Sequence, residues 1–308
     1  MFERWYALDA GSHQIRIYDE SKDCFVQFQS LIAYKNNEIV ALSHDALEYV
    51  YHRSTSIKVK YPFSEGKIKG DIVPLIQYGL NLKKEKSIFS KPCLLICLPD
   101  KNETEQDKWL KALKNEGIRK IEFISIPQLM NEKIHFYIHA GHSYTLIGCN
   151  VNGKEILYKQ IPFAGIQMDE AIVQTVLKKT SCIISKEDAR ILKEACSKSL
   201  NINKNANLTC FGMNKYNQYE KINITSMNIW PDLLAIEQQI VLWTKQMISS
   251  CNLDLQEKIL EQGIYLSGGL ANCFGLRAYL KHELHCPIIC TQSPQYDIIN
   301  KMKGWKND

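Results

Sequence analysis

Two stretches of the chain share an order of apolar and polar positions that predicts the same plan twice. In the first stretch, strands are predicted at Trp5–Asp9 and Gln14–Tyr18, on either side of a glycine turn. In the second, a strand runs from His135 to a turn at Gly141, and another covers Tyr144–Val151. A third strand, helices and a further buried strand follow each hairpin. The pattern therefore predicts a duplicated α/β chain.

A continuous apolar run, Pro92–Pro99, predicts a strand that is buried on both faces. Thr104–Glu116 carries its apolar residues on one face and predicts a helix, and Lys120–Ile126 predicts the next strand. A strand, a crossover helix and a strand imply parallel pairing. Leu31–Leu42 predicts two more strands around an asparagine turn, which we expect to extend the antiparallel meander.

The second stretch contains the longest predicted helices, and it sets the expected division of the chain. Helices are predicted at Met168–Thr180, Lys186–Ser199, Trp230–Ser250 and Cys273–Leu284, with a buried strand at Gly263–Leu266. We expect two domains, residues 1–130 and 131–308, with the C-terminal helix packing back on the first domain.

Composition and charge favour a globular protein over a nucleic-acid binder. The 308 residues are 45% apolar and 23% charged, and 38 basic residues exceed 33 acidic ones by a net charge of +5. The basic residues are scattered without interleaved aromatic residues, which is typical of a solvated surface. No apolar run of about 20 residues predicts a transmembrane helix, and no secretory signal is visible.

The eleven cysteines do not form a zinc-binding pattern. The closest pairs, Cys93 with Cys97 and Cys286 with Cys290, have three residues between them, whereas zinc knuckles usually have the spacing CxxC. Most of the others are isolated in apolar runs. This pattern predicts a reduced intracellular protein that uses cysteine as a small apolar residue.

Three turns rich in small residues are candidates for binding phosphate. They are Asp9–Ser12, His139–Ser143 and Ser267–Gly269. Small residues allow backbone N–H groups to approach phosphate oxygens closely. The sequence therefore predicts two hairpins that grip a polyphosphate, together with a third glycine turn.

The motifs around these turns resemble, in the same order, those of the bacterial actins of the MreB kind, within the actin, Hsp70 and sugar-kinase superfamily. The segments are Leu8–Ser12 (first phosphate loop), Val59–Asp71, Phe163–Ile172, Glu187–Lys193 (nucleotide-contacting helix), Gly263–Asn272 (adenosine loop) and Cys286–Lys303. The resemblance spans nearly the whole chain.

The resemblance implies an actin-like, ribonuclease H-like duplicated α/β fold with a nucleotide cleft between two domains. It implies ATP and Mg²⁺ as ligands, with Asp9 holding Mg²⁺ through water. It also implies a cytoplasmic filament that acts in rod-shape determination, works with other cytoskeletal or cell-wall assembly proteins and can contact the membrane peripherally. The implied nucleotide-binding residues are Asp9, Gly11, Ser12, Gln14, Gly141, Ser143, Lys193, Gly268, Gly269 and Leu270.

Four positions depart from the family pattern. His139 and Ile166 stand where the family has aspartates, and Ile126 stands where a glutamate positions the attacking water. Arg190 replaces the glutamate of the adenosine-contacting helix. Hydrolysis in such sites needs carboxylates around Mg²⁺ and an oriented water, and the loss of several such groups predicts slow hydrolysis or none.

Several alternatives stay open at this stage. The chain is a weakly ATP-binding scaffold, a nucleotide-free pseudo-actin adaptor, or a working ATPase with a rebuilt site; a sugar kinase would need an added substrate domain. Either His135, His139 and His142 form a metal site, or His139 and His142 complement phosphate when protonated or hydrogen-bond the turn. The aromatic N-terminus, including Trp5, either contacts lipid or leads into the first core strand.

Overall fold

The computed structural model describes residues 3–51, 56–81, 91–130, 134–200 and 205–305. The chain divides into two compact units: unit 1 contains residues 1–131 and 296–308, and unit 2 contains residues 132–295. The predicted domains, residues 1–130 and 131–308, stay a sequence-based prediction.

Unit 1 begins with a hairpin and continues through short elements to two parallel strands. Its elements are β1 (Arg4–Ala10), β2 (Gln14–Asp19), β3 (Cys24–Gln29), β4 (Ile32–Lys35), β5 (Glu38–Leu42), α1 (Ser43–Tyr51), β6 (Ile57–Lys60), β7 (Phe63–Ser64), β8 (Lys67–Ile68), α2 (Val73–Leu80), β9 (Pro92–Leu98), α3 (Glu103–Leu113), β10 (Lys120–Ser125) and α4 (Ile126–Leu129).

The main sheet of unit 1 has the strand order β10-β9-β1-β2-β3. Strands β1, β2 and β3 are antiparallel, and β9 and β10 run parallel to β1. The predicted buried strand is therefore β9, and the predicted parallel pairing is present. Its core also includes Trp109 of α3, which is stacked on Phe63 with ring centroids 5.5 Å apart.

The prediction that Leu31–Leu42 extends the meander is wrong. Strands β4 and β5 belong to a separate sheet with the order β5-β4-β6. Leu31 and Ala33 are buried against Ala46 and Leu47 of α1, in a small apolar cluster of their own. Ile32 of β4 packs into the core of the main sheet instead, so the strand has apolar contacts in both clusters and pairs with β5 and β6.

Unit 2 repeats the plan of unit 1 with longer helices. Its elements are β11 (Ile134–Ala140), β12 (Thr145–Val151), β13 (Lys154–Ile161), α5 (Gly165–Thr180), α6 (Lys186–Leu200), β14 (Asn207–Met213), β15 (Tyr219–Thr225), α7 (Ser226–Ser249), α8 (Leu253–Gln262), β16 (Ile264–Ser267), a 3₁₀ helix (Gly269–Asn272), α9 (Leu276–Leu284) and β17 (Ile288–Ile289).

The main sheet of unit 2 has the order β13-β12-β11-β16-β17. Its first three strands are antiparallel, and β16 and β17 are parallel to β11. If the five strands of each main sheet are numbered along the chain, both sheets have the order 3-2-1-4-5. The duplicated plan predicted from the sequence is therefore present in the two units.

Three helices of unit 2 begin at other residues than the pattern predicts. Helix α5 begins at Gly165 instead of Met168. Helix α7 begins at Ser226 instead of Trp230, because Thr225 and the side chain of Asn228 form a capping box at its start. Helix α9 begins at Leu276 instead of Cys273, because a turn that ends at Gly275, with φ of +93°, separates it from the 3₁₀ helix.

The last helix, α10 (Asp297–Met302), belongs to unit 1 and contacts β1 and β2. All eleven cysteines are free thiols. Among the described residues, no helix is both long and apolar enough to span a bilayer.

Candidate functional site

The first glycine turn joins β1 to β2 in unit 1, and its hairpin register sets a charged pair. Asp9 lies directly opposite Arg16 in the antiparallel ladder. Arg16 Nη1 donates to Asp9 Oδ2 at 3.1 Å. The carboxylate predicted to hold Mg²⁺ is therefore already paired with a guanidinium.

Arg16 is held in place from several sides. Its Nε donates to Gln27 Oε1 and its Nη2 donates to Gln14 Oε1, both at 3.1 Å. The guanidinium carbon lies 5.2 Å from the centroid of the Tyr296 ring. Only 11% of the Arg16 side chain is exposed. Gln14, a predicted nucleotide contact, therefore supports Arg16 through its amide oxygen.

The turn itself has room only for glycine at its first position. A Cβ atom on Gly11 would lie 2.6 Å from the Gln14 carbonyl oxygen, closer than real Cβ contacts. Ser12 follows in the same turn, and the next carbonyl, that of His13, accepts from Ser30 N at 2.9 Å. The structure thus places the predicted residues of the first loop together.

The second glycine turn joins β11 to β12 in unit 2 and receives the start of helix α5. Gly141 N donates to Tyr144 O at 3.0 Å. The carbonyls of Gly141 and His142 accept from the backbone N–H groups of Gly165 and Ile166 at 3.2 and 2.7 Å. Two of the N–H groups that a helix start leaves unbonded are therefore used by this turn.

The third turn lies beside the second, because β16 runs parallel to β11. His139 is the register partner of Ser267, and His139 Nδ1 and Ser267 Oγ are 3.1 Å apart. Gly268 has φ of +89°, and a Cβ atom there would lie 2.3 Å from Ala140 O. His139, which replaces the expected aspartate, thus links the two turns by a hydrogen bond. The side chain of His135 lies outside the described residues.

Gly269 and Leu270 begin the 3₁₀ helix that follows Gly268. Leu270 is buried, whereas a Cβ atom on Gly269 would meet nothing within 4 Å. The predicted adenosine loop is therefore open at Gly269 and packed into the core at Leu270.

A buried ion pair connects α5 and α6 behind the second turn. Lys193 Nζ lies 2.7 Å from Asp169 Oδ1 and donates to Gly165 O at 3.1 Å. His142 Nε2 lies 3.4 Å from Asp169 Oδ2. Only 2% of the Asp169 side chain and 9% of the Lys193 side chain are exposed. Lys193, predicted to contact nucleotide, therefore neutralises a buried carboxylate of its own unit.

Arg16 and Asp169 were not predicted from the sequence as site residues. Asp169 lies inside the quoted segment Phe163–Ile172, but only the tertiary structure brings it to Lys193. Arg16 has a readable signal, since a short glycine turn fixes the hairpin register and therefore the residue opposite Asp9. Ser143 is buried within the second turn.

The remaining substituted positions carry no carboxylate. Ile126 is buried at the start of α4, and Ile166 lies in the first turn of α5. Arg190 forms ion pairs with Glu187 and Glu194 along α6. None of the three side chains can accept a proton from a water molecule or hold a metal.

The residues around Asp9 and Asp169 do not fit a bound Mg²⁺. Mg²⁺ in phosphate sites is usually held by one or two carboxylates together with phosphate oxygens and water. Asp9 already faces Arg16, and Asp169 faces Lys193 and His142. Over the described ranges, no group of three or more His, Cys, Asp or Glu side chains could hold a metal ion.

Two units with the same 3-2-1-4-5 sheet, each with a glycine turn after its first strand, define an actin-type fold. The model of the MreB/Mbl protein family matches residues 3–306. The chain therefore belongs to the MreB/Mbl family and is a divergent, bacterial actin-like cytoskeletal protein.

Curated relatives agree with this family. The cell shape-determining protein Mbl of Bacillus subtilis (strain 168) is 21% identical over 309 residues, which cover 96% of this chain and 93% of the relative. The cell shape-determining protein MreB of Pasteurella multocida (strain Pm70) is 22% identical over 320 residues, which cover 96% and 90%.

Solved structures confirm the predicted actin-like fold. MreB5 of Spiroplasma citri bound to AMPPNP has a TM-score of 0.89 at 18% identity, and the match covers 100% of this chain and 97% of that one. The MamK double helical filament has a TM-score of 0.79 at 15% identity and covers 100% and 99%. The nucleotide contacts of the individual residues stay predictions.

Proposed function

We propose that this protein is a self-associating, MreB-type scaffold in cell-shape determination, in which ATP acts as a conformational clamp and is hydrolysed slowly or not at all. The family match supports the scaffold role, since curated members of similar length are named as cell shape-determining. Self-association is supported by a similar fold in the MamK double helical filament. We place the protein in the cytoplasm, in contact with other assembly proteins and, peripherally, with the membrane.

ATP binding is the finer part of the proposal. Structures of MreB5 of Spiroplasma citri have been solved with bound AMPPNP and with bound ADP. Their TM-scores against this chain are 0.89 and 0.88. The small residues at Gly11, Gly141 and Gly268 would let backbone N–H groups of their turns approach phosphate oxygens. Leu270 and Gly269 supply the predicted adenosine contact.

Slow turnover rests on one observation: the carboxylates expected at the two hairpin turns are missing or already neutralised. Asp9 is paired with Arg16, and His139 is hydrogen-bonded to Ser267. Ile126 cannot orient a water molecule. Removal of one positioning group typically costs about 10² to 10⁴ in rate, so the combined losses leave binding without efficient hydrolysis.

The test combines three measurements on the same protein: thermal unfolding with and without ATP, sedimentation of assembled protein, and phosphate release. A ligand at 100 times its dissociation constant adds about 2.7 kcal/mol to stability. We expect ATP to stabilise the protein by this amount, and we expect the assembled protein to sediment. Phosphate release should be much slower than assembly.

A glycine pair in unit 1 provides the matched variants. Gly11→Ala places a Cβ atom 2.6 Å from Gln14 O and should abolish the stabilisation by ATP, whereas Gly70→Ala meets nothing closer than 3.6 Å and should keep it. Assembly without any effect of ATP would favour the nucleotide-free adaptor. Fast phosphate release would favour the working ATPase, and a protein that never pellets would refute the scaffold.

A further inference from the structure

The first turn of unit 1 carries a cation of its own at the place where a metal ion is expected. We propose that Arg16 replaces the divalent cation there, so that the protein binds nucleoside polyphosphates without Mg²⁺. This inference rests on the proposed function, because it concerns the ligand of the same turn.

Arg16 differs from a mobile surface arginine. It contacts residues on both sides of the turn, Asp9 before it and Gln14 after it, and a third strand through Gln27. A guanidinium stays charged at every physiological pH. Asp9 therefore faces a permanent positive charge that is fixed by the hairpin, and a second cation beside it would be repelled.

Arg16 retains hydrogen-bonding capacity that suits phosphate. A guanidinium has five N–H donors, and Asp9, Gln14 and Gln27 accept from three of them. In the part of the chain that the structure describes, the other two N–H groups, one on each terminal nitrogen, have no acceptor. A planar pair of donors matches two oxygens of a phosphate group.

The carboxylate behind the turns of unit 2 is neutralised in the same manner. Asp169 faces Lys193 at 2.7 Å and His142 at 3.4 Å. His139 stands where the family has the aspartate of the second turn, and an imidazole supplies no negative charge to bind Mg²⁺. Both units thus use basic side chains where water-mediated Mg²⁺ binding would need free carboxylates.

The first test needs no variant. ATP is titrated into the protein by calorimetry, once with excess MgCl₂ and once with excess EDTA. If Arg16 supplies the positive charge, the two dissociation constants should agree within about threefold. Binding that is present with MgCl₂ and lost with EDTA would overturn this inference while leaving the proposed function intact. No binding under either condition would overturn both.

The second test removes the charge and keeps a polar side chain. Arg16→Gln should weaken ATP binding in EDTA by about 10- to 100-fold, the range expected for lost hydrogen bonds to a charged group. Because Asp9 is then free to face a metal, MgCl₂ should restore part of the affinity in this variant. A merely structural role for Arg16 would weaken both titrations equally, and that result would contradict the inference.

A second arginine on the same strands is the matched control. Arg4 Nη2 donates to Asp19 Oδ2 at 2.7 Å, at the other end of the β1–β2 hairpin. Its side chain is 20% exposed and that of Asp19 is 11% exposed, which mirrors the Arg16–Asp9 pair. Arg4→Gln should leave both titrations unchanged. An equal loss in Arg4→Gln would assign the effect to hairpin stability and overturn the inference.

Discussion

Removal of the Lys193 charge should destabilise unit 2 far more than removal of an exposed lysine on the same helix. Lys193→Met keeps an unbranched side chain of similar length. Among the described residues it leaves Asp169, whose side chain is 2% exposed, with His142 at 3.4 Å as its remaining ion-pair partner. Breaking a buried ion pair by removal of one partner typically costs about 3–5 kcal/mol, because the remaining charge is buried without compensation.

The exposed pair between the same helices sets the comparison. Lys186 Nζ lies 2.6 Å from Glu170 Oε1, but these side chains are 56% and 51% exposed. Exposed pairs contribute about 0–1 kcal/mol, so Lys186→Met should change stability within that range. Each variant removes the lysine of an ion pair that joins α6 to α5. The difference between their losses of stability therefore measures the effect of burial.

Amide hydrogen exchange on α5 and α6 measures the effect in unit 2 separately from unit 1. The double variant Lys193→Met with Asp169→Leu should recover most of the loss, since an apolar pair of similar volume is often neutral or stabilising. If Lys193→Met costs no more than Lys186→Met, Asp169 is not an isolated buried charge and the interpretation of this cluster is wrong.

Two further predictions concern the buried acid of α7 and the third glycine turn. Glu237 is fully buried, and burial raises its pKa from 4.5 to about 8. The folded state therefore holds the proton more tightly than the unfolded state. Between pH 4.5 and about 8, each unit of rising pH should destabilise the wild type relative to Glu237→Gln by about 1.4 kcal/mol, and the difference should stay constant above that range. Urea unfolding at several pH values measures this difference. Parallel curves of stability against pH for the two proteins would contradict the prediction. Gly268→Ala should cost about 1–3 kcal/mol, because φ is +89° and the new Cβ atom would lie 2.3 Å from Ala140 O, whereas Gly269→Ala should be nearly neutral; equal melting temperatures of the two variants would refute the steric argument.

The pattern of apolar residues was sufficient to predict an element where burial alone determines its structure. The run Pro92–Pro99 gave a central strand, because only a strand covered on both faces buries such a run without an amphipathic side. Hairpin β14–β15 was missed although residues of β14 alternate between buried and exposed. The alternation was weak because the exposed Phe211 is apolar and the buried Gly212 contributes little hydropathy.

The pattern of apolar and polar positions could not predict which strands or side chains pair with each other. The strands in Leu31–Leu42 were expected, but their sheet depends on α1, whose packing is a tertiary property. Helix α8 was missed although its apolar residues fall on one face, and it buries a single residue, Ile259. The partner of Lys193 lies 24 positions earlier on another helix, at Asp169. Spacing along the chain cannot identify such a partner.

The glycines that carry the family resemblance are required by the fold itself. A side chain at Gly11 would meet the Gln14 carbonyl, and one at Gly268 would meet the Ala140 carbonyl. These contacts exist without any ligand, so the glycine turns would be needed in a member that binds no nucleotide. Arg16 is more informative about a ligand than the glycines are, because two of its five N–H groups have no acceptor among the described residues. Because Arg4 is also held by a carboxylate at the other end of the same hairpin, an anchored arginine alone does not indicate a ligand, and the metal-free titration of Arg16→Gln against Arg4→Gln is therefore the decisive test of the turn.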